Sequence, residues 1–204
     1  ICGIVGPGAE SANARAAVSA MMTTLSHRGP DQEGLASGDG FVFGHRRLAI
    51  IDLEHGRQPM QSEDGQVTLV YNGEIYNYLD LRQELIRKGH RFRTFSDSEV
   101  LLHAYMAYGV DCVQRLNGMF AFAGFDKITN RFFAARDHFG IKPFYYNVLK
   151  DDTVVFASEI KALFDHPEVK PSVDPSAINE YLTFQFCLGE KTLFEGIRKL
   201  EPAH

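Results

Sequence analysis

The spacing of apolar residues predicts helices in two separate parts of the chain. Between residues 11 and 25, apolar side chains recur every three or four positions, which places them on one face of a helix. A second helix is predicted to begin at Asn77, with Asp80 contributing to its cap. A third follows "SDSE" at 96–99, in which serine and glutamate have the spacing of a capping box. Helices are therefore expected near 11–25 and 77–108.

Short apolar runs predict strands over much of the remaining chain. Two of them, 119–125 and 131–135, are apolar at consecutive positions, which is typical of strands covered on both faces. The other predicted strands are 3–6, 41–51, 67–71, 144–147 and 154–157. The stretch "HRGPDQEG" at 27–34 is dense in turn-forming residues and predicts a loop. Buried strands with too few helices for a regular βαβ alternation predict stacked sheets flanked by helices.

The last forty residues have a different pattern. Three prolines within 165–177 predict a connector, and a helix is expected at 176–184. The final stretch "RKLEPAH" has no pattern typical of a terminus, so we expect the native protein to continue beyond it. We therefore predict one domain at 1–164, followed at 165–204 by a connector and the start of a second, truncated domain.

Composition narrows the classes of function. Of the 204 residues, 45% are apolar and 23% are charged, which argues against a disordered chain. No apolar run approaches the roughly 20 residues that span a bilayer, and no secretory signal opens the sequence. A net charge of -5 without a basic cluster argues against nucleic acid as a partner. Three widely spaced cysteines fit a reducing compartment, and the histidines lack metal-ligand spacing. We expect a cytoplasmic, metal-free protein with no nucleic-acid or membrane partner.

Cys2, in the opening stretch "ICGIVG", is the first candidate for chemistry. The α-amine of an N-terminal residue can act as the base for its own side chain, so a cysteine at a chain start is a candidate nucleophile. The alternative is a small buried hydrophobe at the beginning of a strand. Cys112 and Cys187 have apolar or aromatic neighbours and are interpreted as core residues.

The stretch "YNGEIYN" at 71–77 supports two interpretations. Asn-Gly is a strong turn dipeptide, so the strand ending at Tyr71 would simply turn there. The side-chain amide of Asn72 and the backbone N–H of Gly73 are also two donors that can converge on one oxygen, as in an oxyanion hole. Glu74 adds a carboxylate beside them.

Two arginines and an aspartate complete the candidate site. Consecutive residues of a strand point to opposite faces, so one of Arg46 and Arg47 faces inward, where a guanidinium usually binds a carboxylate through two hydrogen bonds. Asp97 either favours a helix N-terminus electrostatically or holds a substrate ammonium. Together the candidates describe a site at which sulfur attacks the side-chain amide of a free α-amino acid.

Nine motifs occur in order along residues 2 to about 164: "CGIVG", "HRGPD", "GHRRLAIID", "QPM", "VYNGEIYNY", "SDSEVLLHAY", "LNGMFAFAGFD", "ARDHFGIKPFYY" and "FASEIKAL". They resemble the N-terminal glutaminase domain of glutamine-hydrolysing asparagine synthetases, a type 2 glutamine amidotransferase. The resemblance implies an α+β fold of the N-terminal-nucleophile class, in which two antiparallel β-sheets lie between helices (αββα). It also implies hydrolysis of glutamine to glutamate and ammonia.

The resemblance also implies roles for individual residues. Those implied to be catalytic are Cys2, Asn72 and Gly73. Those implied to bind glutamine are Arg47, Leu48, Ile51, Asn72, Gly73, Glu74 and Asp97. In this scheme the Cys2 thiol forms a γ-glutamyl thioester, and its own α-amine is the general base. Four further residues lie in family motifs without an assigned chemistry: His27, Arg28, His45 and Asp137.

The first departure from the family lies at the start of the chain. The family nucleophile normally follows only a removable initiator methionine, whereas Ile1 precedes Cys2 here. With Ile1 attached, Cys2 carries an amide nitrogen rather than an amine and lacks its base. We expect Ile1 to be a cloning or processing remnant, and the active form to begin at Cys2.

The second departure concerns the family's synthetase half, which activates aspartate with ATP through a Ser-Gly-Gly-x-Asp-Ser loop. No such loop occurs in residues 1–204. We therefore expect no cofactor in this chain, and ATP and magnesium only in a synthetase domain beyond His204. The expected partners are L-glutamine and that domain of the same polypeptide. The oligomeric state stays open, a homodimer included.

Three other functions stay open at this point. The first is a glutaminase domain whose full-length protein amidates a different acceptor. The second is a catalytically silent domain, because Ile1 blocks the Cys2 amine. The third is a hydrolase of other amides, which the pair of Arg47 and Asp97 disfavours because these residues suit an α-amino acid.

Overall fold

The chain forms ten strands, five α-helices and three short 3-10 helices in a computed structural model, which describes residues 1–204. The strands are β1 (Cys2–Val5), β2 (Gln32–Gly38), β3 (Phe41–Arg47), β4 (Met60–Gln61), β5 (Val67–Ile75), β6 (Gly118–Asp126), β7 (Arg131–Arg136), β8 (Tyr145–Val148), β9 (Val154–Ala157) and β10 (Ile197–Lys199). The α-helices are α1 (Ala14–Thr24), α2 (Tyr78–Arg87), α3 (Asp97–Tyr108), α4 (Ile160–Leu163) and α5 (Pro175–Phe184). None of the helices combines the length and apolar character that crossing a membrane requires.

The strands form two antiparallel sheets that pack face to face. The larger sheet has the order β10-β8-β9-β1-β3-β2, and the smaller has the order β4-β5-β6-β7. Helices α1 and α4 pack on the outer face of the larger sheet, and α2 and α3 pack on that of the smaller sheet. This is the predicted α+β sandwich, with four layers in the order αββα.

Alternate residues of the central strands supply three apolar layers between these elements. In β6, Phe122 packs toward α2 and α3, while Ala123 faces the larger sheet. In β1, Cys2 and Ile4 pack toward α1, while Val5 faces the smaller sheet. Burial of one phenylalanine or leucine side chain contributes about 1.5–3 kcal/mol to folding. Strands that are apolar on both faces are therefore what this fold needs, as the consecutive apolar runs predicted.

Two local predictions fail because contacts distant in sequence outweigh them. The loop predicted at 27–34 is partly wrong, since β2 begins at Gln32 and pairs with β3 from Gln32 opposite Arg47 onward. The cap predicted at Asn77 is also wrong: its side chain bonds the backbone of Arg115 and Asn117 instead of α2. The serine of "SDSE" does cap α3, because Ser96 Oγ accepts a hydrogen bond from the Glu99 N–H at 3.2 Å.

Residues beyond 164 also contribute to the sandwich formed by the two sheets. Strand β10 pairs with β8 and forms the edge of the larger sheet. At the last residue, the carbonyl of His204 accepts a hydrogen bond from the Arg136 N–H at 2.7 Å. The domain boundary at residue 164 stays a prediction, and within this chain the segment 165–204 supplies an edge strand to the domain before it.

Candidate active site

A cavity of about 210 Å³ opens between the two sheets, where the ends of β3 and β5 face each other. It follows from the strand pattern: Phe41 and Phe43 fill the space between the sheets, and His45 and Arg47 continue the same face toward its mouth. The structure brings seven predicted residues to its wall: Arg47, Leu48, Ile51, Asn72, Gly73, Glu74 and Asp97.

The backbone N–H of Gly73 points to the free edge of β5. Its partner on β6, Phe120, directs both of its backbone groups to Asp137 on the far side, at 3.1 Å for the N–H and 2.8 Å for the carbonyl. Gly73 and Phe120 therefore form a pair without mutual hydrogen bonds, in which the Gly73 N–H turns away from β6. That donor is thereby free to bind a ligand in the cavity.

The neighbours of Gly73 show the same orientation. The N–H of Tyr71 donates to Gln58 Oε1 at 2.6 Å, and the N–H of Ile75 donates to Asp97 Oδ2 at 3.1 Å. Only glycine fits at position 73, because an added Cβ would lie less than 3.0 Å from the carbonyl oxygen of Met119 and from Phe120. The close approach of two strands, rather than a turn, explains this glycine.

Asn72 supplies a second donor from the adjacent position. Its side chain is on the same strand face as Val70, which packs between the sheets. Asn72 Nδ2 is buried and has no hydrogen-bond partner. An unpaired buried amide typically costs about 1–3 kcal/mol, so this donor is available to a polar atom that enters the cavity. The turn interpretation of Asn-Gly is wrong, because both residues lie inside β5.

Arg47 faces inward and Arg46 faces outward, which confirms the predicted alternation. Arg46 lies on the other face of the strand, where it pairs with Glu33 and also borders the rim of the cavity, whereas Arg47 is only 7% exposed. The guanidinium of Arg47 donates from Nη2 to the carbonyls of Ile51 and Asp52, at 2.8 and 2.7 Å. It thus anchors the loop after β3 while lining the cavity.

Two carboxylates lie on the cavity wall with this arginine. Asp97 is buried at the start of α3 and accepts a hydrogen bond from the Tyr71 hydroxyl at 2.7 Å. Burial raises the pKa of Asp97, although the donors from Tyr71 and Ile75 favour its charged form. Glu74 is half-buried and faces the space between the sheets with Asn72. Two acidic residues and four basic ones therefore line one small cavity, the basic ones being Arg28, Arg46, Arg47 and Lys142.

Cys2 is the one predicted residue that the structure does not bring to the cavity wall. It is fully buried on the outer face of the larger sheet, among Val18 and Met22 of α1, and its Sγ lies 3.6 Å from the carbonyl oxygen of Gly44. Burial raises the pKa of this thiol to about 12. Ile1 has the opposite orientation and packs between the sheets. The nucleophilic role of Cys2 stays a prediction.

His45 is a cavity residue to which the sequence assigned no chemistry. Its Nε2 lies 2.9 Å from the Tyr71 carbonyl, which can only accept, so Nε2 carries the proton. Its Nδ1 is then a buried acceptor without a partner. Burial lowers the pKa of His45 to about 3, so the imidazole is neutral. Its spacing of two residues from Arg47 on one strand was the signal that would have revealed it. No group of three or more metal-ligating side chains is arranged to hold a metal ion.

Comparison with known proteins identifies the relatives of this chain. The sequence model of the glutamine amidotransferase domain matches residues 1–204. The chain is similar to glutamine-hydrolyzing asparagine synthetase 3 of Bacillus subtilis, with 46% identity over 191 residues, 90% of this chain and 30% of that protein. It is also similar to glutamine-hydrolyzing asparagine synthetase 1 of that organism, with 42% identity over 207 residues, 99% of this chain and 32% of that protein.

A solved structure shares the fold. Glutamine phosphoribosylpyrophosphate amidotransferase from Bacillus subtilis, complexed with ADP and GMP, matches with a TM-score of 0.66 and 24% identity over 80% of this chain and 42% of its own. The predicted resemblance to the glutaminase domain of asparagine synthetases is confirmed. The chain spans about a third of the length of the curated relatives it matches. It belongs to the glutamine amidotransferase domain family.

Proposed function

We propose that this chain hydrolyses glutamine to glutamate and ammonia. The observation that carries the proposal is the pair of free donors at Asn72 and Gly73, which shares one cavity with Arg47, Glu74 and Asp97. The guanidinium suits the α-carboxylate of a free amino acid, and the two carboxylates suit its α-ammonium. The side-chain carboxamide is then the group left to meet the donor pair, which is the arrangement that amide hydrolysis requires.

In the proposed reaction, the Cys2 thiol gives its proton to its own α-amine while sulfur bonds to the amide carbon. The carbonyl oxygen becomes an oxyanion, which the Asn72 amide and the Gly73 N–H stabilise. When the C–N bond of the amide breaks, the α-ammonium of Cys2 returns the proton to the leaving nitrogen. Ammonia departs, and a γ-glutamyl thioester of Cys2 is left. Water then attacks the thioester and releases glutamate. An ordinary cysteine thiol, with a pKa of about 8.5, is mostly protonated at neutral pH, so the reaction needs this base.

We propose that Cys2 reaches the cavity only when it is the N-terminal residue. With Ile1 attached, the chain before Cys2 is held in the sheet, because the Ser158 N–H donates to the Ile1 carbonyl at 2.9 Å. The Cys2 side chain then points to α1. In a terminal residue, rotation by about 120° about the Cα–C bond can move the side chain into the position that the nitrogen occupied, while the amine moves into the position of Hα. Removal of Ile1 therefore both frees the base and lets the thiol turn.

The relatives' names support aspartate as the acceptor of the ammonia in the full-length protein. We accordingly propose a synthetase domain beyond residue 204, with ATP and magnesium bound there and not in the glutaminase domain, and a cytoplasmic location. A homodimer stays an open proposal for the full-length protein.

The test compares chains that begin at Cys2 and at Ile1, with each N-terminus verified by intact mass. Ammonia and glutamate release from glutamine should occur with the first chain and not with the second. Cys2→Ala should abolish it, whereas Cys187→Ala, which removes a thiol near the C-terminus, should leave it unchanged. Equal turnover by both chains would contradict the role of the α-amine, and turnover by Cys2→Ala would contradict the nucleophile.

A further inference from the structure

Asp52 contacts both of the structural elements that would hold the two charged groups of a free amino acid. Its backbone carbonyl accepts the 2.7 Å hydrogen bond from Arg47 Nη2. Its carboxylate Oδ2 accepts a hydrogen bond from the Phe95 N–H at 2.8 Å, two residues before Asp97. Asp52 itself is not part of the cavity wall. One residue therefore connects the arginine side of the cavity to the carboxylate side.

The local structure of Asp52 is specialised for this connection. Its φ of 50° lies in the left-handed region, which costs energy for most residues and is tolerated best by glycine, asparagine and aspartate. Its second carboxylate oxygen accepts from the backbone N–H and the ring Nδ1 of His55, both at 3.1 Å. The side chain is 8% exposed, and the hydrogen bond from Phe95 is the main cause of its lowered pKa. The carboxylate is therefore fixed in place and charged.

The segment that Asp52 holds is rigid on its other side. Glu99 accepts hydrogen bonds from the N–H groups of Arg93 and Thr94, at 2.8 and 2.7 Å, and Ser96 caps α3. Residues 93–96 are thus tied to the helix that begins with Asp97. A displacement of Phe95 therefore also displaces Asp97, because this short segment is held by hydrogen bonds. A displacement of Asp52 moves the carbonyl oxygen to which Arg47 donates.

We propose that Asp52 is a positioning residue that sets the spacing between Arg47 and Asp97. It thereby makes the site selective for substrates that carry both an α-carboxylate and an α-ammonium. The inference rests on the proposed glutaminase function and names a determinant of its substrate selectivity. Loss of the carboxylate should loosen both sides of the cavity at once, although Asp52 touches neither the substrate nor the reacting atoms.

The test uses Asp52→Gly and Asp52→Asn in the chain that begins at Cys2. Glycine keeps the left-handed backbone and removes the carboxylate, so KM for glutamine should rise about 10- to 100-fold, the range for loss of one hydrogen bond to a charged group. The kcat should stay within about threefold, since the oxyanion donors are untouched. Asparagine keeps an oxygen that can accept from the Phe95 N–H, so Asp52→Asn should restore most of the affinity.

Asp64→Gly is the matched control, because Asp64 also accepts hydrogen bonds within an exposed turn, from Ser62 and Gln66, but lies away from the cavity. It should leave KM unchanged. The preference for glutamine over its analogue without the α-amine should shrink in Asp52→Gly and persist in Asp64→Gly. An unchanged KM and preference in Asp52→Gly would overturn the inference.

Hydrogen exchange separates this inference from the proposed function, because it needs no turnover. In Asp52→Gly, amide exchange should accelerate both in residues 93–96 and in the loop that Arg47 anchors. Acceleration in 93–96 alone would show that the two sides are not coupled and would overturn the inference. If the unmodified chain failed to hydrolyse glutamine while the coupled exchange was observed, the proposed function would fail and the positioning role would stand.

Discussion

His45 on β3 donates its Nε2 proton to the carbonyl of Tyr71 on β5 across 2.9 Å, and this bond joins the two sheets at the cavity. The imidazole is 5% exposed and neutral. Because Tyr71 also donates its hydroxyl to Asp97, the bond links the larger sheet to α3 through one residue. The hydrogen bond between His45 and Tyr71 is thus a polar brace between the two sheets at the cavity.

Stability should fall with acid because of His45. Its pKa is about 3 in the folded state against 6.5 unfolded, with burial as the main cause. Between these values the unfolded chain binds a proton that the folded chain does not, so stability drops as pH falls from 6.5. One proton corresponds to about 1.4 kcal/mol per pH unit. His45→Gln, which can still donate to Tyr71, should flatten the curve of unfolding free energy in urea between pH 4.5 and 6.5. An unchanged slope would contradict the neutral histidine.

Asn72→Ala should separate activity from stability. The variant removes one oxyanion donor, so kcat for glutamine should fall about 10²- to 10³-fold. KM should change little, since Arg47, Glu74 and Asp97 remain. Because the wild-type amide is buried without a partner, its removal should leave the melting temperature unchanged or raised. Steady-state kinetics and thermal unfolding of the same sample provide the measurement, and a parallel loss of both properties would speak against the oxyanion role.

Gly73→Ala should destabilise the fold, whereas Gly124→Ala should not. A Cβ at position 73 would meet the backbone of β6, which cannot move without disturbing the smaller sheet. The expected cost is about 1–3 kcal/mol, as for other overpacked sites. A Cβ at Gly124, on the neighbouring strand, would make ordinary contacts at 3.7 Å with Leu69 and Thr68, and should change stability by less than about 0.5 kcal/mol. The measurement is the free energy of unfolding of the two variants in urea. Equal values would contradict the conclusion that β5 and β6 approach too closely at Gly73 for a side chain.

Arg47→Ala and Arg115→Ala should differ sharply in glutamine affinity. Arg47 lines the cavity and holds the loop after β3, so its loss should raise KM by about 100-fold or more, as expected for a charged hydrogen-bonding partner. Arg115 lies away from the cavity and pairs with Glu84 at the surface, and exposed ion pairs contribute little, so KM should stay within about threefold. A similar rise in both variants, measured on chains that begin at Cys2, would contradict the assignment of the α-carboxylate to Arg47.

Local patterns determined much of the architecture and the chemical content of the site. Apolar periodicity predicted α1, α2, α3 and the central strands, because burial on one face or on both leaves a direct trace in the sequence. The opposite orientations of Arg46 and Arg47 were predictable for the same reason, since the pleat of a strand is a property of neighbouring residues. The residue types that suit a free amino acid were likewise recognisable from the sequence, because each type carries its own charge and hydrogen-bonding groups.

Only the tertiary structure decided how these parts meet. Strand β2, strand β10 and the continuation of β5 through Asn72 and Gly73 depend on pairing with distant strands, which local turn propensity cannot reveal. The free edge of β5, the brace from His45 and the contacts of Asp52 are likewise relations between separate segments. The face to which Cys2 points depends on its register with β3 and β9. Residue types and periodicity are local, whereas register, strand edges and a shared cavity arise only when distant segments pack together.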